Sequence, residues 1–162
     1  MKFDLSDEFS NLIDRCSSAL VRSAQPVQII YGSTDIAMYE TQNEDALSKA
    51  IGEGANVYAI WTKSDLEERW KLEYLGQRKS KCSRERIKQH LFRKSERTES
   101  KLERVREAVR LGRNVAISTI LVWPDYLRTS VEQALIEEHK TTAGWVEWNT
   151  HGNKKRKKVV AG

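Results

Sequence analysis

The chain has 162 residues, of which 39% are hydrophobic and 31% charged, with eight glycines and two prolines. This length and composition are typical of one globular domain with extensions and exclude a collagen-like, disulfide-rich or disordered chain. The net charge of +5 is uneven, because residues 1–70 carry −6, residues 71–113 carry +9 and residues 114–162 carry +2. The basic middle segment favours a polyanionic partner, with an ordinary solvated helix face as the alternative.

The cysteines and the first residues place the chain in a broad class. Cys16 and Cys82 form no CxxC pair, which argues against a disulfide framework or a Cys-rich zinc site. No apolar run approaches the roughly 18 residues that span a bilayer. Acidic residues lie near the start of the chain, whereas a signal peptide begins with basic residues followed by an apolar run. We therefore expect a cytoplasmic protein with no membrane partner.

The first 54 residues predict three short elements. Residues 6–22 place apolar side chains at spacings of three and four, which predicts an amphipathic helix. The β-rich run 27–31 predicts a strand, and residues 43–51 predict a second short helix. Because residues 1–54 carry no motif, we interpret them as an N-terminal extension (helix plus strand) that completes the fold. A dimerisation or specificity element is the alternative.

The rest of the chain predicts a sheet covered by helices. The predicted strands are 56–62, 71–75 and 115–122, the predicted helices are 83–93, 98–111 and 127–140, and residues 144–149 are a short extended stretch. Two strands so close in sequence predict an antiparallel pair, and the continuous β-branched run of the third predicts a central strand covered on both faces. We therefore predict an α+β (mixed α/β) fold with a small three-stranded antiparallel-type sheet flanked by helices. The basic tail, residues 153–162, is expected to be mobile.

Polar side chains with catalytic potential lie on these elements. They are Tyr58 and Tyr74 on the paired strands, Arg86 and His90 one turn apart on the next helix, Glu132 on the last helix, and Asn149 after it. Taken singly, each has an ordinary structural interpretation, such as a core tyrosine, a surface arginine or an acid in the first turn of a helix. Their joint order along the chain is more specific.

In this order the motifs resemble the GIY-YIG nuclease family. Asn56-Val57-Tyr58 corresponds to its GIY signature and Tyr74-Leu75-Gly76 to its YIG signature. Arg86-Ile-Lys-Gln-His90, Glu132-Gln-Ala-Leu135-Ile136 and Asn149 correspond to its later motifs. The resemblance covers roughly residues 55–152, which it identifies as a GIY-YIG-like catalytic module. The chain departs from the family at Asn56, which replaces the first glycine, and in a longer link between the tyrosines.

Hydrolysis of a phosphodiester needs an activated water, stabilisation of the phosphorane charge and help for the leaving oxygen. Glu132 is expected to hold one Mg²⁺ (or Mn²⁺), since this ion often takes one or two carboxylates plus water and phosphate. Tyr58 is expected to be the general base, with a pKa brought down from about 10 by nearby positive charge. Arg86 would clamp a phosphate oxygen, and His90 would orient Tyr58 or donate a proton.

Supporting roles fall to the neighbouring residues. Tyr74 would hydrogen-bond near the phosphate, Gly76 would let the backbone turn sharply, and Asn149 would brace the site. Lys71, three residues from Tyr74, is expected on the opposite face of its strand. The predicted DNA-binding cations are Lys71, Arg78, Lys79, Lys81, Arg84, Lys88, Arg93 and Lys94. The five tryptophans are expected to pack in the core and at its rim.

The function expected from this resemblance is a metal-dependent DNA endonuclease. Because the catalytic module occupies most of the chain, a stand-alone restriction-type enzyme that cuts both strands as a homodimer is favoured. A non-catalytic nucleic-acid-binding module is the main alternative, and it would be favoured if Arg86 or Glu132 were turned away from Tyr58. A mobile-element or phage nicking nuclease and a nuclease toxin are further alternatives of the same fold.

Overall fold

The computed structural model describes residues 1–33, 35–95, 100–140 and 144–149. These residues form five helices and four strands. The helices are α1 (Ser6–Ser17, continued by a wider turn at Ser18–Arg22), α2 (Glu44–Ile51), α3 (Ser80–Leu91), α4 (Leu102–Arg110) and α5 (Arg128–His139). The strands are β1 (Val27–Ile29), β2 (Val57–Lys63), β3 (Lys71–Gln77) and β4 (Asn114–Ile120). No helix in the described ranges is long and apolar enough to cross a membrane.

The strands form one antiparallel sheet in the order β1-β4-β2-β3. The mixed α+β class is confirmed, but the prediction of a three-stranded sheet is wrong. Strand β1, which was assigned to the N-terminal extension, pairs with the outer edge of β4 through Ile29 and Val115. It thereby satisfies backbone groups that β4 would otherwise leave unpaired. The boundary predicted at residue 54 stays a prediction, although the sheet joins elements from both sides of it.

Helices cover both faces of the sheet. Helices α1 and α5 pack on one face, where Leu20 and Leu135 are fully buried. Helices α2, α3 and α4 pack on the other face, where Leu47, Ile87 and Val105 are buried. The sheet is therefore the middle of three layers, and β4 is the covered central strand that its apolar run predicted. The predicted tail, residues 153–162, lies outside the described residues.

A β-bulge in β3 shifts the register of its pairing with β2. Ile60 pairs with Tyr74 and Trp61 with Leu72, which leaves Glu73 as the extra residue. The prediction that Lys71 lies on the face opposite to Tyr74 is therefore wrong, because simple alternation does not hold across a bulge. Lys71 pairs with Thr62, which belongs to the same face as Tyr58.

The segment 144–149 forms turns rather than the predicted extended stretch. Val146 has a positive φ of 51°. Its amide donates to the Leu72 carbonyl and the Trp148 amide donates to the Glu73 carbonyl, both at 2.9 Å. Two consecutive carbonyls of β3 accept these bonds because of the bulge, whereas a straight partner strand would meet alternate residues. The turns therefore follow from the local geometry of β3.

Candidate active site

The paired strands β2 and β3 bring Tyr58 and Tyr74 together. Tyr58 pairs with Gly76 across the strands, and the two phenol rings lie 6.3 Å apart between centroids. A Cβ at Gly76 would lie 2.7 Å from the Tyr74 ring and 2.8 Å from the Tyr58 ring. Gly76 lies inside β3, so the prediction that it turns the backbone is wrong. Its lack of a side chain instead makes room for both rings.

His90 of α3 is fully buried against these tyrosines. Its Nε2 lies 3.0 Å from the Tyr58 hydroxyl oxygen, and its Nδ1 accepts a hydrogen bond of 3.0 Å from the Lys101 amide. Burial lowers the pKa of His90 to about 3, with the charges of Arg86 and Lys101 as further causes. The ring is therefore neutral at pH 7. Because Nδ1 accepts, the proton sits on Nε2 and is donated to the Tyr58 oxygen.

The proton on His90 Nε2 limits what Tyr58 can do, because it makes the Tyr58 oxygen a hydrogen-bond acceptor. Burial raises the pKa of Tyr58 well above its ordinary value, and the neighbouring Tyr74 hydroxyl and Glu132 carboxyl raise it further because each disfavours a negative charge on the Tyr58 oxygen. The Arg86 guanidinium, which lies within hydrogen-bonding reach of Tyr58, opposes this shift but does not outweigh burial. The expectation that nearby side-chain charge brings the pKa of Tyr58 down is therefore wrong, whereas the part of that expectation that concerns a metal ion stays a prediction. Tyr58 stays protonated, and since it accepts from His90, its own proton can be donated to a different acceptor.

Glu132 of α5 lines a pocket of about 410 Å³ with Tyr74, Asn149 and the exposed Glu137. The carboxyl is half-buried, and burial raises the pKa of Glu132 to about 7. Its charge is close enough to Tyr58 to raise the pKa of that phenol. A carboxyl that ionises near neutral pH in a pocket beside a tyrosine is typical of a functional site.

Asn149 fixes the turn that closes this pocket. Its side-chain oxygen accepts from the Leu75 amide at 2.8 Å, and its amide group donates to the Leu75 carbonyl at 2.7 Å. The side chain thus replaces a neighbouring strand for one residue of β3, next to Tyr74. This bonding is what a residue that braces the site would make, and Asn149 is a positioning residue.

Whether the site can hold the predicted metal ion depends on the side chains that could ligate it. Among the described residues, no group of three or more His, Cys, Asp or Glu side chains is placed to hold a metal ion. A hard cation that keeps several waters needs only one or two carboxylates besides phosphate. Glu132, a carboxylate in a pocket with room for water, fits that kind of site.

Four of the eight predicted DNA-binding cations are engaged in ion pairs within the chain: Lys71, Arg84, Lys88 and Arg93. Arg84 donates to Glu44 at 2.6 Å, Lys88 pairs with Glu40 and Glu44, and Arg93 pairs with Glu40. The contacts of Arg84, Lys88 and Arg93 join α3 and the residues just after it to α2 and to the turn that precedes α2. Acids of the N-terminal segment therefore neutralise part of the basic middle segment. The cations that remain exposed are Arg78, Lys79, Lys81 and Lys94.

Lys71 lies in a different pocket, which includes the buried Glu73. The Lys71 ammonium is 3.5 Å from Glu73 Oε2 and 3.2 Å from the Glu147 carboxylate. Thr62 donates to Glu73 Oε1 at 2.7 Å, whereas Glu73 Oε2 has no hydrogen-bond partner among the residues that the structure describes. Nothing in the sequence signals this buried carboxylate, because it reaches the interior only through the bulge.

Asn56 has a role that the family pattern does not suggest. Its side chain is fully buried, donates to the Val122 carbonyl at 2.7 Å and accepts from the Val122 amide at 2.7 Å. It also donates to Asp125 at 3.0 Å. Asn56 thus fixes the segment after β4. The sequence gives no signal for this role, since the partners are 66 and 69 positions away.

Comparison of the chain with models of protein families, with curated proteins and with solved structures found no match.

Proposed function

We propose that the protein is a metal-dependent endonuclease that hydrolyses phosphodiester bonds of DNA. The observation that carries this proposal is that Tyr74, Arg86, His90 and Glu132 converge on the Tyr58 side chain. Together with Tyr58 these residues come from two strands and two helices, and Tyr74, Arg86 and Glu132 all lie close enough to Tyr58 to shift its pKa. A purely structural core has no need for an arginine, a histidine and a carboxyl around a buried hydroxyl.

In the proposed reaction a water oxygen attacks phosphorus and the bond to one ester oxygen breaks, giving a phosphate monoester and an alcohol. Arg86 binds a non-bridging phosphate oxygen through its planar guanidinium. Neutral Tyr58 donates its proton in a hydrogen bond to the water or to a phosphate oxygen, and neutral His90 holds the phenol in place. Tyr74 lies beside both rings and supplies a second hydroxyl. The proton lost by the water passes to solvent, and the leaving ester oxygen takes a proton from solvent to become the alcohol.

Glu132 is the residue that would hold Mg²⁺ or Mn²⁺, and the ion would supply positive charge to the developing phosphorane and the leaving oxygen. The raised pKa of Glu132 implies that metal and proton compete for this carboxyl near neutral pH. We therefore expect activity to fall as the pH drops below about 7.

The main alternative, a nucleic-acid-binding module without turnover, would be favoured if Arg86 or Glu132 were turned away from Tyr58. Both lie within electrostatic reach of its hydroxyl, which favours the enzyme. Restriction-type cleavage of both strands by a homodimer belongs to the same proposal, since one site per chain cuts one strand at a time.

The test is plasmid cleavage by the wild type, Glu132→Ala and the control Glu137→Ala, each with Mg²⁺ and with EDTA. Glu137 lines the same pocket but is exposed. We expect the wild type and the control to cut only with Mg²⁺, and Glu132→Ala to bind DNA without cutting. Discrete bands would indicate a sequence-specific enzyme. Equal DNA binding by all three proteins with no cleavage of any DNA would support the binding module instead.

A further inference from the structure

The segment after β4, residues 121–127, presents aromatic side chains to solvent. Trp123 is 77% exposed and Tyr126 is 74% exposed, and Leu121 beside them is 50% exposed. The expectation that all five tryptophans pack in the core or at its rim is thus wrong for Trp123. Large aromatic side chains usually bury most of their surface, so two exposed rings close in sequence suggest a binding surface. We call residues 121–127 the aromatic loop.

The aromatic loop is held in place by buried and half-buried polar groups. Both backbone groups of Val122 are bonded to the Asn56 side chain. The Asp125 carboxylate accepts from Asn56 at 3.0 Å, from the Ser80 amide at 3.3 Å and from the Arg128 guanidinium at 2.6 Å. The exposure of the rings is therefore a fixed feature of the fold, and the loop needs no contact from its aromatic side chains to keep its shape. A preordered surface loses little entropy on binding.

Three cations, Arg78, Lys79 and Lys81, lie beside the aromatic loop. The Ser80 amide bonds to Asp125, so the residues flanking Ser80 lie beside the loop. The charge of Lys79 contributes to lowering the pKa of Asp125, which places this ammonium near it. Arg78, Lys79 and Lys81 are all exposed. Exposed aromatic rings beside exposed cations are the combination that binds single-stranded nucleic acid, in which bases stack on rings and phosphates meet cations.

The loop also lies at the end of the sheet where the candidate active site is. Tyr58 pairs with Thr119, and β4 ends one residue later at Ile120. Helix α3, which begins at Ser80, carries Arg86 and His90. A strand that stacks a base on the loop can therefore continue along α3 toward Tyr58.

We propose that the aromatic loop, with Arg78, Lys79 and Lys81, binds an unpaired base and its phosphates, so that DNA with a single-stranded segment beside the cut is preferred over fully paired DNA. This inference rests on the proposed nuclease function and narrows its substrate class. In fully paired DNA the faces of the bases stack only on neighbouring bases. Such DNA would therefore contact the cations but not the aromatic rings. A second copy of this chain is the other possible occupant, and it is less suited to a surface flanked by three cations.

The test measures binding in EDTA, so that cleavage plays no part. Fluorescence anisotropy compares a labelled single strand of about 12 nucleotides with a duplex of the same sequence. Trp123→Ala and Tyr126→Ala should each weaken single-strand binding by about 5- to 30-fold and change duplex binding less than about twofold, because stacking is lost. Lys79→Ala should weaken both probes. Phe3→Ala removes another exposed ring, before α1, and should change neither.

Each contrary result is informative. An equal loss on both probes, or no loss, overturns stacking by the loop. A change from dimer to monomer in Trp123→Ala, seen by sedimentation with unchanged nucleic-acid binding, overturns it in favour of a contact between copies. Selective loss of single-strand binding in a protein that cuts no DNA supports the loop as a binding site and contradicts the nuclease. Plasmid cleavage with no selective loss contradicts only this inference.

Discussion

Burial of the Glu132 carboxyl should destabilise the folded protein at neutral pH, and Glu132→Gln measures this effect. Burial raises the pKa of Glu132 from 4.5 to about 7. The folded state then binds the proton more tightly than the unfolded state, so the free energy of unfolding falls as the pH rises from about 4.5 to about 7. The loss contributed by this one group is about 2.5 kcal/mol between pH 5 and pH 8, and about 3 kcal/mol in total.

The neutral isostere removes this pH dependence. We expect Glu132→Gln to be more stable than the wild type by about 3 kcal/mol at pH 8 and by about 1 kcal/mol at pH 5, measured by urea unfolding. Glu137→Gln, at an exposed position on the same helix, should stay within about 0.5 kcal/mol of the wild type at both pH values. Mg²⁺ should stabilise the wild type at pH 8 and leave Glu132→Gln unchanged if the ion binds this carboxylate. A stability difference that is the same at pH 5 and pH 8 would refute the argument from burial.

Two further substitutions test the packing around the site. Gly76→Ala should reduce cleavage at least tenfold and destabilise the protein by about 1–3 kcal/mol, because a Cβ would lie 2.7 Å from the Tyr74 ring and 2.8 Å from the Tyr58 ring. Cleavage rates and urea unfolding check both effects, and full activity would show that the two rings need not stay together. Asn56→Gly introduces the glycine of the GIY signature that this segment resembles, yet it should cost about 2–4 kcal/mol, since both backbone groups of Val122 lose their partner. A stability equal to that of the wild type, measured by the same unfolding assay, would show that water replaces Asn56.

Much of the candidate site could be predicted because its residues follow local patterns. The apolar periodicities place β2, β3, β4 and the helices, and the register of an antiparallel pair brings Tyr58 and Tyr74 to one face. The spacing of Arg86 and His90 puts them on one side of α3. The bulge at Glu73 could not be read from the chain, because it depends on how β2 and the turns at 144–149 meet β3. The place of Lys71 was therefore predicted wrongly.

The sequence by itself determined the order of the elements, the mixed α+β class and which polar side chains accompany the two tyrosines. Only the tertiary structure decided their protonation and their partners. His90 is neutral and Tyr58 keeps its proton because elements distant in sequence exclude water from both. The positive charges near His90 act in the same direction as its burial, whereas the Arg86 charge near Tyr58 opposes burial without outweighing it. The sequence alone gives the charge of the basic segment, residues 71–113, but it does not show which of these cations are exposed to a partner. Glu40 and Glu44 engage part of it from the N-terminal segment, while the network around Asn56 and Asp125 leaves Trp123 and its neighbouring cations exposed, because solvent exposure depends on contacts between distant segments.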